Sequence, residues 1–306
     1  MNTLFGVIIP YAAITIFILG LLYRIIKWGK SAVPFRIPTT CGQEKSLPWI
    51  KNDPLDNPHS NRFVVGRMLL EILIFRSLWR NTRAEVKPES QKIIYSGNKF
   101  LWLFGLLFHW SLLTILIRHL RLFIEPVPWA IKMLGSLDGA MEIVIPTLFL
   151  TDIAILLALT YLFIRRVAFP QIRYISLPAD YFAVLLIISV AITGILLRIF
   201  FHTDIVAVKE LAMSVLRFDP DVPSGISWLF YLHLTLVSFL LAYFPFSKMV
   251  HMGGIFFSPT RNLANNNRAK RHVNPWDYPV KTHPYHEYEE DFHDKMAQAG
   301  LPLEKE

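Results

Sequence analysis

Apolar residues in this chain gather into long runs, and five runs are long enough to cross a hydrocarbon core of roughly 30 Å as helices. They cover about 4 to 23, 99 to 118, 140 to 164, 179 to 200 and 226 to 246. The pattern predicts an all-α membrane protein, a bundle of five transmembrane helices. A further apolar-rich stretch, Arg62 to Trp79, is interrupted by Arg67, Glu71 and Arg76. Those charges predict an amphipathic helix lying on the membrane or against a partner.

The polar segments between the runs set the domain plan. Ser31 to Asn61 is rich in proline and polar residues and reads as an irregular stretch. The chain after Phe246 has few aliphatic residues and cannot build a core of its own, but its prolines and aromatic residues suit docking along another protein. The expected division is a membrane domain over residues 1–255 and an extended cytoplasmic tail over 256–306. The membrane domain includes an inner-side segment, 24–98, that contains the 62–79 helix.

Charge then orients the bundle. With the N-terminus outside, all but six of the 31 lysines and arginines fall on the inner side or in the tail, the six being Arg118, Arg121, Lys132, Arg198, Lys209 and Arg217. The C-terminus is then cytoplasmic. The first run has no basic segment ahead of it and no small-residue cleavage site, so it reads as an uncleaved helix in the cell membrane, not a signal peptide.

Composition narrows the chemistry. Of 306 residues, 53% are hydrophobic and 18% charged, which excludes an ordinary soluble domain. The net charge of +8 sits beside the runs, where anionic lipid head groups attract it, so lipid and not nucleic acid is the expected contact. Cys41 is the single cysteine, which excludes a disulfide framework, a cysteine-held iron–sulfur cluster and covalently attached haem.

Histidines supply the ligands that cysteine does not. His109 and His119 lie ten residues apart on the second run, about 15 Å along a helix. His233 lies near the outer end of the fifth run, and His251 follows eighteen residues later, five helical turns and about 27 Å if the helix runs that far. Because the two runs are antiparallel, His109 and His251 share the inward depth and His119 and His233 the outward depth. Each pair suits the axial clamping of a planar haem iron. A lone intramembrane histidine also serves as an interhelical hydrogen-bonding group, but four matched in depth fit that role poorly. Tetrahedral zinc fits less well, because the pairs stand on opposite sides of the membrane.

Other polar residues in or near the runs are candidates by depth alone. Arg118 and Arg121 flank His119, and Arg198 and His202 end the fourth run on the same side. Cations there suit haem propionates or quinone oxygens, and snorkelling to the interface is the ordinary alternative. Asp152 stands inside the third run, where a carboxylate calls for a partner or a role in proton transfer.

The histidine spacings of ten and eighteen, with the run LPADYFAVLLIISVAITGILLR, resemble the nitrate reductase gamma subunit family of haem b membrane subunits. The resemblance is nearer to DsrM-type subunits of the sulfite-reduction-associated complex, and it covers roughly residues 1 to 255. It implies two non-covalent haems b, the inward one on His109 and His251 and the outward one on His119 and His233. It also implies menaquinol oxidation near the outward haem and a cytoplasmic iron–sulfur partner resembling heterodisulfide-reductase catalytic subunits. Further membrane and periplasmic cytochrome c subunits would be additional partners. The long segment between the first two runs and the extended tail depart from nitrate reductase itself.

The function expected is electron transfer between menaquinol or menaquinone and a cytoplasmic iron–sulfur subunit of a sulfur-linked respiratory complex. An alternative from another class is a proton- or ion-translocating protein using the intramembrane histidines and Asp152. A third reading is a conduit between a periplasmic cytochrome and a cytoplasmic partner.

Overall fold

The computed structural model describes residues 2–31, 53–87, 92–139, 148–201, 203–265 and 283–304. Among these, four helices are long and apolar enough to cross a membrane: Leu4–Gly29, Lys99–Leu122, Pro178–Ile199 and Trp228–Phe246. We name their regular α-helical portions α1 (Ile9–Gly29), α4 (Lys99–His119), α8 (Pro178–Ile199) and α10 (Trp228–Tyr243). Large apolar side chains on these helices face outward, Leu19 at 63% exposure and Phe100 at 68% among them. That is the surface a bilayer covers, and the chain is a multi-pass membrane protein.

The expectation of five spans is corrected to four. The predicted third span, 140–164, is helical only from Leu150, in α6 (Leu150–Ala168), and residues 140–147 lie outside the described ones. This helix has 19 residues and carries Asp152 near its start and Arg165 and Arg166 near its end. No spanning length of it is free of those three charges. It packs against α4 and α8, while α10 packs against α8 and α1.

Two shorter helices, α2 (Asn61–Ile74) and α3 (Arg76–Trp79), replace the single amphipathic helix expected over 62–79. Phe75 separates them with φ 52°, in the left-handed region. The break follows from hydrogen bonding: the indole N–H groups of Trp102 and Trp110 donate to the terminal carbonyls of Ile74 (2.7 Å) and Leu73 (3.0 Å). Glu71 is buried because it accepts from the backbone N–H and hydroxyl of Ser77 and faces Arg261 at 3.4 Å. The helix therefore packs on its own chain, against the tail segment that carries Arg261, while α3 packs at α4.

A β-hairpin, β1 (Thr82–Lys87) with β2 (Lys92–Gly97), adds a small antiparallel sheet, in register from Thr82 opposite Gly97 to Lys87 opposite Lys92. Short helices α5 (Trp129–Asp138), α7 (Pro170–Ile175) and α9 (Ile205–Leu216) connect the longer ones. In the tail, α12 (Pro259–Asn262) is followed by α13 (Tyr285–Gln298), where the buried Glu289 accepts from the backbone N–H of Glu304 at 2.9 Å. That part of the tail is helical.

The fifth apolar run does not continue as one helix to His251. The α10 helix ends at Tyr243, Phe244–Phe246 and Lys248–Val250 form 3-10 turns, and Ser247 between them is extended. Pro245 is the cause, having no N–H to continue the ladder. α1 supports the break closely: a Cβ on Gly20 would stand 2.7 Å from Pro245 Cβ, and Arg24 Nε donates to Pro245 O at 3.0 Å. A last short helix, α11 (His251–Gly254), begins at the histidine itself.

Candidate functional site

Despite that break, His109 and His251 meet. Their ring centroids are 6.0 Å apart with an interplanar angle of 82°. Two imidazoles binding one ion between their Nε2 atoms, at metal–nitrogen distances of about 2 Å, would have ring centres about 6 Å apart. Phe75, at the left-handed hinge, packs edge-on against His109 at 4.9 Å, as does Phe108.

The second pair involves the far end of α4. His119 ends α4, and His233 on α10 lies within its electrostatic reach. Thr193 Oγ1 of α8 is 2.8 Å from His233 Nδ1. The neighbouring Gly194 leaves room for the ring, since a Cβ there would stand 3.2 Å from His233 Cε1.

All four imidazoles share one hydrogen-bonding state. Nδ1 of His109 lies 2.7 Å from Gly105 O, Nδ1 of His119 lies 2.7 Å from Ile115 O, and Nδ1 of His251 lies 3.0 Å from Lys248 O. A carbonyl only accepts, so in each case Nδ1 carries the proton and donates it. At His233 the acceptor is Thr193 Oγ1, whose own proton goes to Ser189 O (2.8 Å) or Val190 O (3.0 Å). Among the described residues no hydrogen bond takes up the lone pair on Nε2 of any of the four, the arrangement that orients metal-binding histidines. No group of three or more histidine, cysteine, aspartate or glutamate side chains suited to a metal ion occurs among the described residues.

The charged residues singled out near His119 are mostly engaged with one another. Arg118, 6% exposed, forms an ion pair with Asp138 and donates to Thr151 Oγ1 at 3.2 Å. Asp138 in turn accepts from the N–H (2.9 Å) and the hydroxyl (2.7 Å) of Thr151. Arg198 pairs with Asp152 at 2.5 Å, and the ring of Phe149 lies between the two guanidinium carbons at 3.5 and 4.1 Å. Asp152 is thus held by a cation from α8. Arg121 has no carboxylate partner among the described residues, and His202 lies outside them.

Sequence reasoning passed over Thr193, Gly194, Asp138, Phe149 and the support around Pro245. A Thr-Gly step inside the apolar run of α8 was the available signal for the first two, because a small residue beside a hydroxyl marks a close helix contact. Asp138 and Phe149 carry no such signal, since their roles arise only when α5 and α6 fold back on α4.

The profile of the nitrate reductase gamma subunit family matches residues 64–271, which contain all four histidines. The chain belongs to this family. It is also 49% identical over 284 residues to the "Hdr-like menaquinol oxidoreductase cytochrome b-like subunit" of Archaeoglobus fulgidus, an alignment that covers 90% of this chain and 84% of that protein. The protein of the same name from Archaeoglobus profundus is 41% identical over 276 residues, covering 88% of this chain and 81% of the relative. The family membership shown is that of a cytochrome b-like membrane subunit, and neither relative bears the DsrM name suggested by the spacings.

Proposed function

We propose that this chain is the dihaem cytochrome b subunit of a menaquinol-oxidising respiratory complex of the Hdr-like kind, linked to sulfur metabolism. The observation that carries the reading is the common state of His109, His119, His233 and His251: each donates from Nδ1 to an oxygen and keeps Nε2 open. Kinship with relatives named as menaquinol oxidoreductase subunits supports it.

In this reading His109 and His251 hold one haem b, and His119 and His233 hold the other. Such groups would supply one-electron transfer, with both histidines of a pair holding the iron. The chain's own residues fix the rings and keep each imidazole in its Nδ1–H form. The Arg118–Asp138 and Arg198–Asp152 pairs neutralise charge beside His119, which leaves Arg121 as the cation suited to a propionate or a quinone oxygen.

Menaquinol oxidation, which releases two electrons and two protons, belongs at the His119 end. The opposite end carries Arg24, Lys27, Lys30, Arg166 and Lys248 around the segment leading to His251. Basic residues at span ends support placing that end in the cytoplasm, with an iron–sulfur subunit resembling heterodisulfide-reductase catalytic subunits docked there. The tail beyond residue 256, with α13, would add to that docking. The nearer kinship with DsrM-type subunits, and further membrane and periplasmic cytochrome c subunits, are what the family resemblance implies and complete the proposal.

The test is anaerobic addition of a reduced menaquinone analogue to membranes holding the complex, with haem absorption followed in time. Rapid appearance of the reduced haem b band is expected. Reduction by dithionite but not by the quinol would refute the menaquinol reading.

A further inference from the structure

Lys248 takes part in two interactions at once, and together they connect α8 to His251. Its side-chain Nζ lies 2.8 and 2.9 Å from the two carboxylate oxygens of Asp180, and its backbone carbonyl accepts from His251 Nδ1 at 3.0 Å. Asp180 is itself firmly placed near the start of α8: it is 9% exposed, accepts from Leu177 N at 3.0 Å and faces Arg166 at 3.8 Å. It belongs to the LPADY run whose polar residues have had no role so far.

This connection matters because of where the chain has lost its own support. The α10 helix stops at Tyr243, so His251 is not held by a continuous ladder from His233. Between Ser247 and His251 the bonds stay within the turn: Ser247 N and Oγ both donate to Phe244 O (3.2 and 2.9 Å), Ser247 Oγ accepts from Met249 N at 3.1 Å, and the His251 backbone N–H donates to Lys248 O. On the other flank, Arg24 fixes Pro245 O, three residues before Lys248. A short turn anchored at Pro245 by α1 and at Lys248 by α8 has little freedom left at its next residue, His251.

We propose that Asp180 and Lys248 are positioning residues that set the orientation and stability of His251 as a ligand, so that α8 tunes the His109–His251 centre without touching it. The inference rests on the haem reading above. The Lys248 side chain is 72% exposed and its pairing is open to salt, so the effect is on geometry and ligand retention and not on the fold.

The test uses the intact complex and begins with low-temperature electron paramagnetic resonance of the oxidised wild type, where two low-spin haem signals are needed. Loss of one signal on His251→Leu assigns it to this centre. Lys248→Met and Asp180→Asn are expected to shift or broaden that signal alone, and to release haem from that centre on the order of tenfold faster in detergent. Lys248→Arg, which keeps the ion pair, is expected to restore the wild-type signal. Lys248→Met lies on an exposed side chain, so it reads the effect even where Asp180→Asn fails to fold. An unchanged signal and unchanged haem retention in Lys248→Met would overturn the positioning role. Absence of both signals from the wild type would instead overturn the haem reading itself.

Discussion

Thr193 accepts the Nδ1 proton of His233 across the contact between α8 and α10, at 2.8 Å. That contact makes the imidazole more electron-rich and favours the oxidised form of an iron bound at Nε2. Thr193→Val keeps the shape and removes the acceptor. A neutral hydrogen bond contributes about 0.5–1.5 kcal/mol, so the midpoint potential of the His119–His233 centre should rise by on the order of 20–60 mV in a redox titration, with Thr193→Ser near wild type.

Single ligand replacements should divide the haem content cleanly. His109→Leu or His251→Leu should remove one haem and leave the other, and His119→Leu or His233→Leu should do the converse. Pyridine extraction would then find about half the wild-type haem in each variant, with the remaining absorption differing between the two classes. Loss of all haem from every variant would mean that the four residues hold a single site.

The buried Arg118–Asp138 pair should behave as a unit. Both side chains are under 10% exposed, at 7% and 4%. Arg118→Leu or Asp138→Leu alone leaves a buried charge uncompensated and should destabilise the protein by about 3–5 kcal/mol, whereas the double replacement should recover most of that loss. Thermal unfolding in detergent measures the cycle. A double variant destabilised by the sum of the two single losses would show that the pair is not coupled.

Gly20 allows α1 to reach the break in α10. Its substitution by alanine would place a Cβ 2.7 Å from Pro245 Cβ and 2.9 Å from Pro245 Cγ, and a proline ring fused to the backbone cannot swing away. Gly20→Ala should destabilise by about 1–3 kcal/mol, read by the same unfolding assay. An alanine variant as stable as wild type would mean that the helices separate at no cost.

Much of the site was legible in the chain because periodicity and spacing act over one helix at a time. The apolar runs predicted α1, α4, α8 and α10, and a spacing of ten placed His109 and His119 along α4. Features that depend on tertiary contacts were not legible. The third apolar run was counted as a span, but its described part begins at Leu150 and carries Asp152, Arg165 and Arg166 within 19 residues. The helix expected over 62–79 is split where two tryptophans of α4 draw off its last carbonyls. His251 shows the limit most clearly. A spacing of five turns places His251 on one straight helix with His233, yet the residue meets His109 through a proline break and two clamps from other helices.

The candidate cations show a similar limit. Sequence places Arg118, Arg121 and Arg198 at one depth and cannot distinguish them. Folding supplies Asp138 and Asp152 to two of them, so only Arg121 keeps its charge available among the described residues. Arg121→Gln should therefore weaken menaquinol-driven reduction more than Lys132→Gln on the same side, measured as the initial rate of haem reduction.

The central claim is that this chain holds two haems b on four histidines, and its most direct test is a dithionite-reduced-minus-oxidised spectrum of the purified complex with haem counted per chain. About two non-covalent haems b per chain, with six-coordinate, low-spin spectra, are expected. A folded complex without haem, or with high-spin five-coordinate haem in its place, would contradict it.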